Sequence, residues 1–240
     1  MNQPAVTIRA LVKLCRISNL PTVWSNVFAA ALLSGVSIAS LKTLFLVVSL
    51  SLFYCGGMAL NDICDLQSDR EKQPFRPIPS GEISLKWAYF FALSQFSVAF
   101  LLLLATSLTF SGVMAGAVLL LLIVGYDLFH KGNPSTVLLM AGCRFMIYVV
   151  VALALAGGVS KPVLMLAIIQ FVYIVILTLV ARYENLKPTG FRLPVMPLLL
   201  AGICMVDGVY LGWTVSVGWL LIGVAGMAAT LAAQRIVRGH

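Results

Sequence analysis

Long apolar runs separated by short polar segments are the feature of this sequence that most restricts its fold. Hydrophobic residues make up 61% of the 240 residues and charged residues 10%, with a mean hydropathy of +1.03. A helix that crosses a bilayer needs about 20 apolar residues. The sequence therefore predicts one all-α polytopic membrane domain over residues 1–240, a bundle of about eight helices. The expected spans are about 21–40, 43–60, 85–106, a fourth that ends near Tyr126, 135–156, 161–180, 193–211 and 213–233.

The charges fall unevenly between the two ends of such a bundle. With a cytoplasmic N-terminus, Lys42 and Lys161 are the only basic residues on the opposite face. Cytoplasmic loops of membrane proteins are enriched in Lys and Arg, so both termini are expected in the cytoplasm, with the inner membrane of a bacterium as the expected location. The net charge of +8 is accordingly assigned to topology and anionic lipid headgroups, and no nucleic-acid partner is expected.

Residues 1–18 are expected to form a cytoplasmic interfacial segment. Arg9, Lys13 and Arg16 recur at helical spacing among apolar residues, which is typical of an amphipathic helix at a membrane surface. Their basic face is read mainly as a topology signal, with contact to a diphosphate as the alternative.

A short acidic stretch, residues 61–69, ends the second apolar run. Asp62, Asp65 and Asp69 are three of only eight acidic residues, and on a continuing helix all three would project from one face. Three like charges at a membrane boundary require a cation, and carboxylate oxygens suit Mg²⁺ bound together with a phosphate substrate. The alternative is a solvated loop face.

Other polar residues accompany this stretch or interrupt the spans. Asp127 and His130 fit a catalytic role or a plain loop equally well. Arg144 lies within the fifth span, where a charge costs about 2.5–3.5 kcal/mol, so it is expected to meet a buried carboxylate or a substrate phosphate. Asp207 lies within the seventh span and is expected to be paired or protonated.

Two motifs carry a resemblance to a known family. The first combines Asn61-Asp62-x-x-Asp65-x-x-x-Asp69 with Arg76-Pro77-Ile78-Pro79-Ser80-Gly81-Glu82-Ile83-Ser84. The second is Tyr126-x-x-x-His130-Lys131, followed by Pro134 and Gly142. Together they resemble the signatures of the UbiA superfamily of intramembrane prenyltransferases, over most of the chain from Arg16 to Arg192.

This resemblance implies a helical bundle around a lipid-open cavity that is capped by cytoplasmic loops. It further implies that an isoprenoid diphosphate bound with Mg²⁺ ionises and is attacked by an acceptor that the sequence leaves unidentified. The implied Mg²⁺ ligands are Asp62, Asp65 and Asp69, and Asn61 would orient a ligand or bind a phosphate oxygen. The implied diphosphate and substrate contacts are Arg70, Lys72, Arg76, Tyr126, Asp127, Lys131, Arg144, Arg182, Glu184 and Lys187.

The chain also departs from the family pattern. The loop after the sixth span reads Arg182-Tyr183-Glu184-Asn185-Leu186-Lys187, with one carboxylate where the family has a second acidic motif. Glu184 with Asn185, or Asp127, would replace the missing ligands, or Arg182 and Lys187 would take part of the diphosphate charge. Eight spans are expected where nine are usual, and the pattern is similar to the divergent EboC-like branch. The alternative function is a non-catalytic prenyl-diphosphate binder or a small transporter on the same fold.

Overall fold

The protein is a bundle of long apolar helices, as the sequence predicts. The computed structural model describes residues 7–130, 133, 135–185 and 195–236, with side chains up to residue 183 in the third range. Within these ranges seven helices are long and apolar enough to cross a membrane, and the apolar helix Ile17–Leu33 is shorter. The helices are α1 Ile8–Leu14, α2 Leu20–Leu33, α3 Leu41–Cys64, α4 Leu66–Lys72, α5 Leu85–Thr106, α6 Phe110–Phe129, α7 Thr136–Ala156, α8 Lys161–Asn185, α9 Val195–Thr214 and α10 Leu220–Gln234.

Serine caps begin two of the long helices. The Ser84 hydroxyl accepts a hydrogen bond from the Trp87 amide at 3.4 Å and so caps the start of α5. Ser40 caps α3 in the same way, with the Thr43 amide at 3.1 Å. Such caps satisfy amide groups that the first turn of a helix leaves without partners.

The first span is shorter than predicted. An apolar run to Ser40 was expected, but α2 ends at Leu33 because the chain turns at Gly35, where φ is +76°. Glycine adopts this left-handed conformation without steric cost, so it ends the helix inside an apolar run.

Both ends of the bundle are tied by hydrogen bonds between distant segments. Gln234, at the end of α10, donates to the Asn19 side chain just before α2, at 3.2 Å. At the opposite end, the Ser160 hydroxyl donates to the Leu33 carbonyl at 3.3 Å. We call the end that carries residues 61–69 the acidic end; the described chain begins and finishes there.

Close packing of α3 against its neighbours fixes the position of the acidic stretch. A methyl group on Gly56 would stand 2.8 Å from the Phe96 ring, and one on Gly57 would stand 3.1 Å from Ile123. These two glycines permit close approach of the neighbouring helices while α3 stays continuous. Phe53, one turn earlier, lies in the main apolar core.

The acidic stretch itself is interrupted. The sequence argument placed its three aspartates on one continuing helix, but α3 ends at Cys64 and α4 begins at Leu66, with Asp65 as the cap between them. As a result, the Asp65 carboxylate pairs with a different residue than the carboxylates of Asp62 and Asp69 do.

Candidate functional site

Two of the three aspartates converge on a single arginine nitrogen. Arg76 Nη1 lies 2.7 Å from Asp69 Oδ2 and 3.3 Å from Asp62 Oδ1. Both carboxylates are almost completely buried, with side-chain exposures of 3% for Asp62 and 6% for Asp69. A buried carboxylate requires a compensating positive charge. One cationic position therefore serves both carboxylates.

A second arginine, Arg16, completes this cluster and was not among the predicted site residues. Its Nη2 lies 2.9 Å from Asp62 Oδ1, and its backbone has a φ of +43°, the only positive φ outside glycine among the described residues. This conformation at the end of α1 turns the side chain toward α3. The basic face that it shares with Arg9 and Lys13 had contact with a diphosphate as its alternative role, but the pairing with Asp62, 46 residues away, was not predicted.

Asp65 pairs with the second predicted loop. Its Oδ1 lies 3.0 Å from His130 Nε2, and the His130 ring stacks on Tyr126 with 5.2 Å between ring centroids. His130 occupies the fourth position after Tyr126, where the family motif has lysine. Among the described residues, no group of three or more His, Cys, Asp or Glu side chains is placed to hold a metal ion.

Asp127 lies between the acidic stretch and the interior. Its Oδ1 accepts a hydrogen bond from Asn61 Nδ2 at 3.1 Å, so two predicted site residues from α3 and α6 meet directly. Its Oδ2 is buried and has no hydrogen-bond partner in the described part of the chain. An unsatisfied buried oxygen of this kind is costly in a folded protein, which makes it a candidate contact for a ligand.

An apolar cavity of about 140 Å³ begins at Asp127. Its walls come from α3, α6, α7, α8 and α9 and are mostly aliphatic. The polar members of the lining are Tyr54, Tyr126, Asp127, Cys143 and Arg144. A cavity with this lining accommodates an apolar chain and presents a few polar contacts to it.

Arg144 belongs to a buried polar network, which answers the question of its partner. Its guanidinium donates to Asn26 Oδ1 and Thr22 Oγ1, both at 2.8 Å. Asn26 in turn donates to Asp207 at 2.7 Å. Asp207 therefore belongs to the same network, but Arg144 makes no direct contact with it, and the expected carboxylate contact is not formed among the described residues.

The remaining predicted residues lie apart from this cluster or outside the described side chains. Arg70 and Lys72 are exposed on α4. Arg182 donates to the Asn133 carbonyl and the Thr136 hydroxyl, both at 3.2 Å, and so ties α8 to the start of α7. Lys131, Glu184 and Lys187 lie outside the side chains that the structure describes.

Next to Arg16, the Cys15 thiol is buried and hydrogen-bonded with Cys55, which raises the pKa of Cys15. Cys15 is therefore held as a neutral thiol beside Arg16.

Fold and site together define a polytopic membrane protein with a carboxylate–arginine cluster that adjoins, through Asn61 and Asp127, an apolar cavity. The profile of the UbiA prenyltransferase family matches residues 19–238. The chain belongs to the UbiA prenyltransferase family, and the predicted resemblance is confirmed.

Several relatives carry the name digeranylgeranylglyceryl phosphate synthase. The protein from Natronomonas pharaonis is 29% identical over 153 residues, covering 64% of this chain and 53% of the relative. That from Methanococcus aeolicus is 27% identical over 185 residues, covering 75% and 63%. The chain thus spans about half to two thirds of the length of these two archaeal proteins.

A solved structure supports the fold. It is described as a digeranylgeranylglyceryl phosphate synthase in membranes and superimposes with a TM-score of 0.65 at 18% identity. The match covers 95% of this chain and 87% of the other. The assignment to the EboC-like branch stays a prediction.

Proposed function

We propose that the protein transfers the prenyl group of an isoprenoid diphosphate to a lipophilic acceptor within the membrane, with Mg²⁺ as cofactor. The observation that carries this proposal is the convergence of Asp62 and Asp69 on one nitrogen of Arg76, next to Asn61, which bonds Asp127 in the lining of an apolar cavity. Family membership favours transfer as the reaction. The relatives' names suggest a prenylated glyceryl phosphate as one acceptor class to test.

The donor atoms of these residues suit a divalent cation, although the described side chains are not already arranged as a set of three metal ligands. Asp62 and Asp69 present hard oxygen atoms to one shared cationic position, and such oxygen ligands suit Mg²⁺. Asp65, paired with His130, is the third proposed ligand. When bound, the metal would stabilise the negative charge that develops on the departing diphosphate.

Arg16 and Arg76 would bind the diphosphate oxygens, since both guanidiniums already lie at the carboxylate cluster. Lys131, Arg70, Lys72, Arg182 and Lys187 are further proposed contacts. In the reaction the C1–O bond of the prenyl diphosphate breaks and its electron pair leaves with diphosphate. A new bond forms between C1 and the acceptor, which releases a proton. Asn61 would hold Asp127 at the entrance to the cavity.

The apolar cavity would hold the prenyl chain and shield the allylic cation from water. Tyr126 and Asp127 would contact the substrate from the polar end of the cavity. Glu184 is proposed to supply one of the carboxylate ligands that the second acidic motif of the family provides. The acidic end is proposed to face the cytoplasm, because the basic residues concentrate there.

Diphosphate release from a labelled prenyl diphosphate tests this function. Purified protein in detergent with Mg²⁺ is expected to release diphosphate, and EDTA or the Asp65→Ala substitution is expected to abolish the release. Asp62→Ala and Asp69→Ala should each lower the rate by at least about 100-fold, since removal of one charge-stabilising contact at a transition state costs about 10²–10³ in rate.

Glu71→Ala provides the matched control, because Glu71 is an exposed acidic residue on the same short helix as Asp69. Its rate should equal that of the unaltered protein. Release that is indifferent to all three aspartates would exclude the proposal. Tight binding of the diphosphate without turnover across a broad acceptor panel would instead favour the binder or transporter function.

A further inference from the structure

The apolar cavity has the same length along two of its walls. On α6 its lining runs from Asp127 to Leu119, and on α3 it runs from Met58 to Leu50. Each pair lies eight residues apart on one helix, so at a rise of 1.5 Å per residue both walls are about 12 Å long. The cavity therefore has a polar end at Asp127 and a deep end at Leu50 and Leu119.

The deep end of this cavity is closed by side chains of the main apolar core. The lining there consists of Leu50, Phe53, Leu119 and Ile147, and none of these four is more than 7% exposed. The Phe53 ring packs edge-on against the Phe100 ring, with 5.0 Å between their centroids. The core continues beyond all four residues. An occupant of the cavity therefore cannot extend further along α3 or α6 without displacing one of them.

The walls that α8 and α9 contribute are also closed. Ile174, Leu177 and Ile203 line the cavity on this side and are each at most 2% exposed. Half-buried lining residues such as Met58 and Tyr126 lie toward the acidic end. A ligand chain that starts at the polar end therefore has its far end enclosed by packed side chains.

A prenyl chain is linear, so its length can be compared with these walls. An extended chain advances about 1.2 Å per bond, because a residue with three backbone bonds spans at most about 3.6 Å. The four chain bonds of one isoprene unit then occupy about 5 Å. A wall of about 12 Å takes between two and three such units, and a chain of four units would need roughly 7 Å more.

We infer that Phe53, with Leu50, Leu119 and Ile147, forms a floor that limits the prenyl group to two or three isoprene units. This inference rests on the prenyl transfer proposed above and adds the length of the donor that the cavity admits. Phe53 has the largest side chain of the four. Its truncation would open space toward Phe100 on α5, which makes Phe53 the residue that determines chain-length specificity.

A series of unreactive prenyl thiodiphosphates with two, three and four isoprene units tests this. They share one head group and differ in the length of the chain. Binding to the full chain in a neutral detergent is measured with saturating Mg²⁺. We expect the three-unit compound to bind at least about tenfold more tightly than the four-unit compound, since apolar pockets discriminate even a single methylene by about tenfold or more. Without a floor, each added unit would bury more apolar surface, and affinity would rise with chain length instead.

Two substitutions should shift this selectivity in opposite directions. Phe53→Ala should raise the affinity for the four-unit compound relative to the three-unit compound at least about tenfold. Leu119→Phe should shorten the cavity and lower the affinity for the three-unit compound relative to the two-unit compound by a similar factor. A general loss of stability cannot produce both shifts. Leu155→Ala is the matched control, because Leu155 is a buried core residue of α7 outside the cavity lining, and it should leave both ratios unchanged.

The unaltered protein alone can overturn the inference, since an affinity that rises from three to four units would show that the floor does not limit the chain. Ratios that stay unchanged in both Phe53→Ala and Leu119→Phe would also overturn it. Failure of all three thiodiphosphates to bind would count against the proposed function itself, and the two failures are therefore distinguishable.

Discussion

Arg16 donates to Asp62 from a left-handed backbone, so one residue combines a strained turn with an ion pair to the acidic stretch. Such strain persists only where the surrounding structure fixes it, and it concentrates at functional sites. Lys13, one turn earlier, is tied to Glu82 at 2.9 Å, which holds α1 against the loop that carries Arg76. The N-terminal helix α1 therefore helps to hold the residues of the site in position.

Substitutions at Arg16 separate the backbone contribution from that of the side chain. Both Arg16→Gly and Arg16→Ala remove the ion pair, but glycine adopts a positive φ freely whereas alanine does not. We expect Arg16→Gly to be the more stable of the two by roughly 1 kcal/mol, measured by unfolding in detergent. Prenyl thiodiphosphate binding should fall equally in both. Equal stability of the two variants would show that the turn carries no strain.

Mg²⁺ and diphosphate are expected to bind cooperatively. Asp62 and Asp69 are already paired with arginines, so Mg²⁺ alone must displace Arg76, and diphosphate alone must draw that arginine from its carboxylates. When both ligands are present, Mg²⁺ pairs with the carboxylates of Asp62 and Asp69, and the diphosphate pairs with the arginine that these carboxylates release. In calorimetric titrations Mg²⁺ should bind at least about tenfold more tightly once a prenyl thiodiphosphate is present. Independent binding of the two ions would contradict this.

Helices α9 and α10 touch through glycine backbones, and a methyl group there should be destabilising. A Cβ added to Gly208 would lie 2.6 Å from the Gly223 Cα. Gly208→Ala is therefore expected to cost about 1–3 kcal/mol, the usual cost of overpacking, measured by thermal unfolding in detergent. Gly158→Ala is the control, since no heavy atom lies within 4 Å of its added methyl. Equal melting temperatures would show that the two helices separate easily.

Asp207 is expected to contribute more to stability than any one of its partners. Asp207→Leu leaves the donors of Ser25, Asn26 and Tyr148 without this acceptor, whereas Tyr148→Phe removes one donor to Asp207 and one acceptor of Asn26. Interhelical hydrogen bonds in membranes average about 0.6 kcal/mol, with a maximum near 1.7. We expect a loss of roughly 2–3 kcal/mol for Asp207→Leu and about 1 kcal/mol for Tyr148→Phe in unfolding measurements. The reverse order would show that Tyr148, not the carboxylate, organises the network.

The sequence predicts the helices well where polar residues mark their ends. The third span, Leu85–Thr106, is found at its predicted bounds because Ser84 caps it and a polar turn follows. The end of α2 was missed because Gly35 turns the chain inside an apolar run, where hydropathy gives no signal. Local periodicity also could not reveal the interruption at Asp65, since the residues on both sides favour a helix.

The sequence motifs name several residues that the structure brings together, but they do not name every partner of those residues. Asp62, Asp69 and Arg76 belong to one contiguous motif, and the structure brings them together. Arg16 and Asp207 depend on contacts between helices distant in sequence, which no spacing rule specifies. The Asn26 amide between Arg144 and Asp207 is a detail of packing that a sequence pattern cannot supply.

The short apolar helix Ile17–Leu33 has a consequence for the surrounding bilayer. Its 17 residues span about 25 Å, less than the hydrocarbon thickness of about 30 Å. Within Leu20–Leu33 only Trp24 is exposed, so neighbouring helices rather than lipids surround most of this helix, and its polar end is expected to lie below the membrane surface. Arg16 lies at that end, so the carboxylate cluster is expected to sit in a depression of the protein surface. Lipid substrates would then reach the cluster with their headgroups still solvated and their chains still in hydrocarbon.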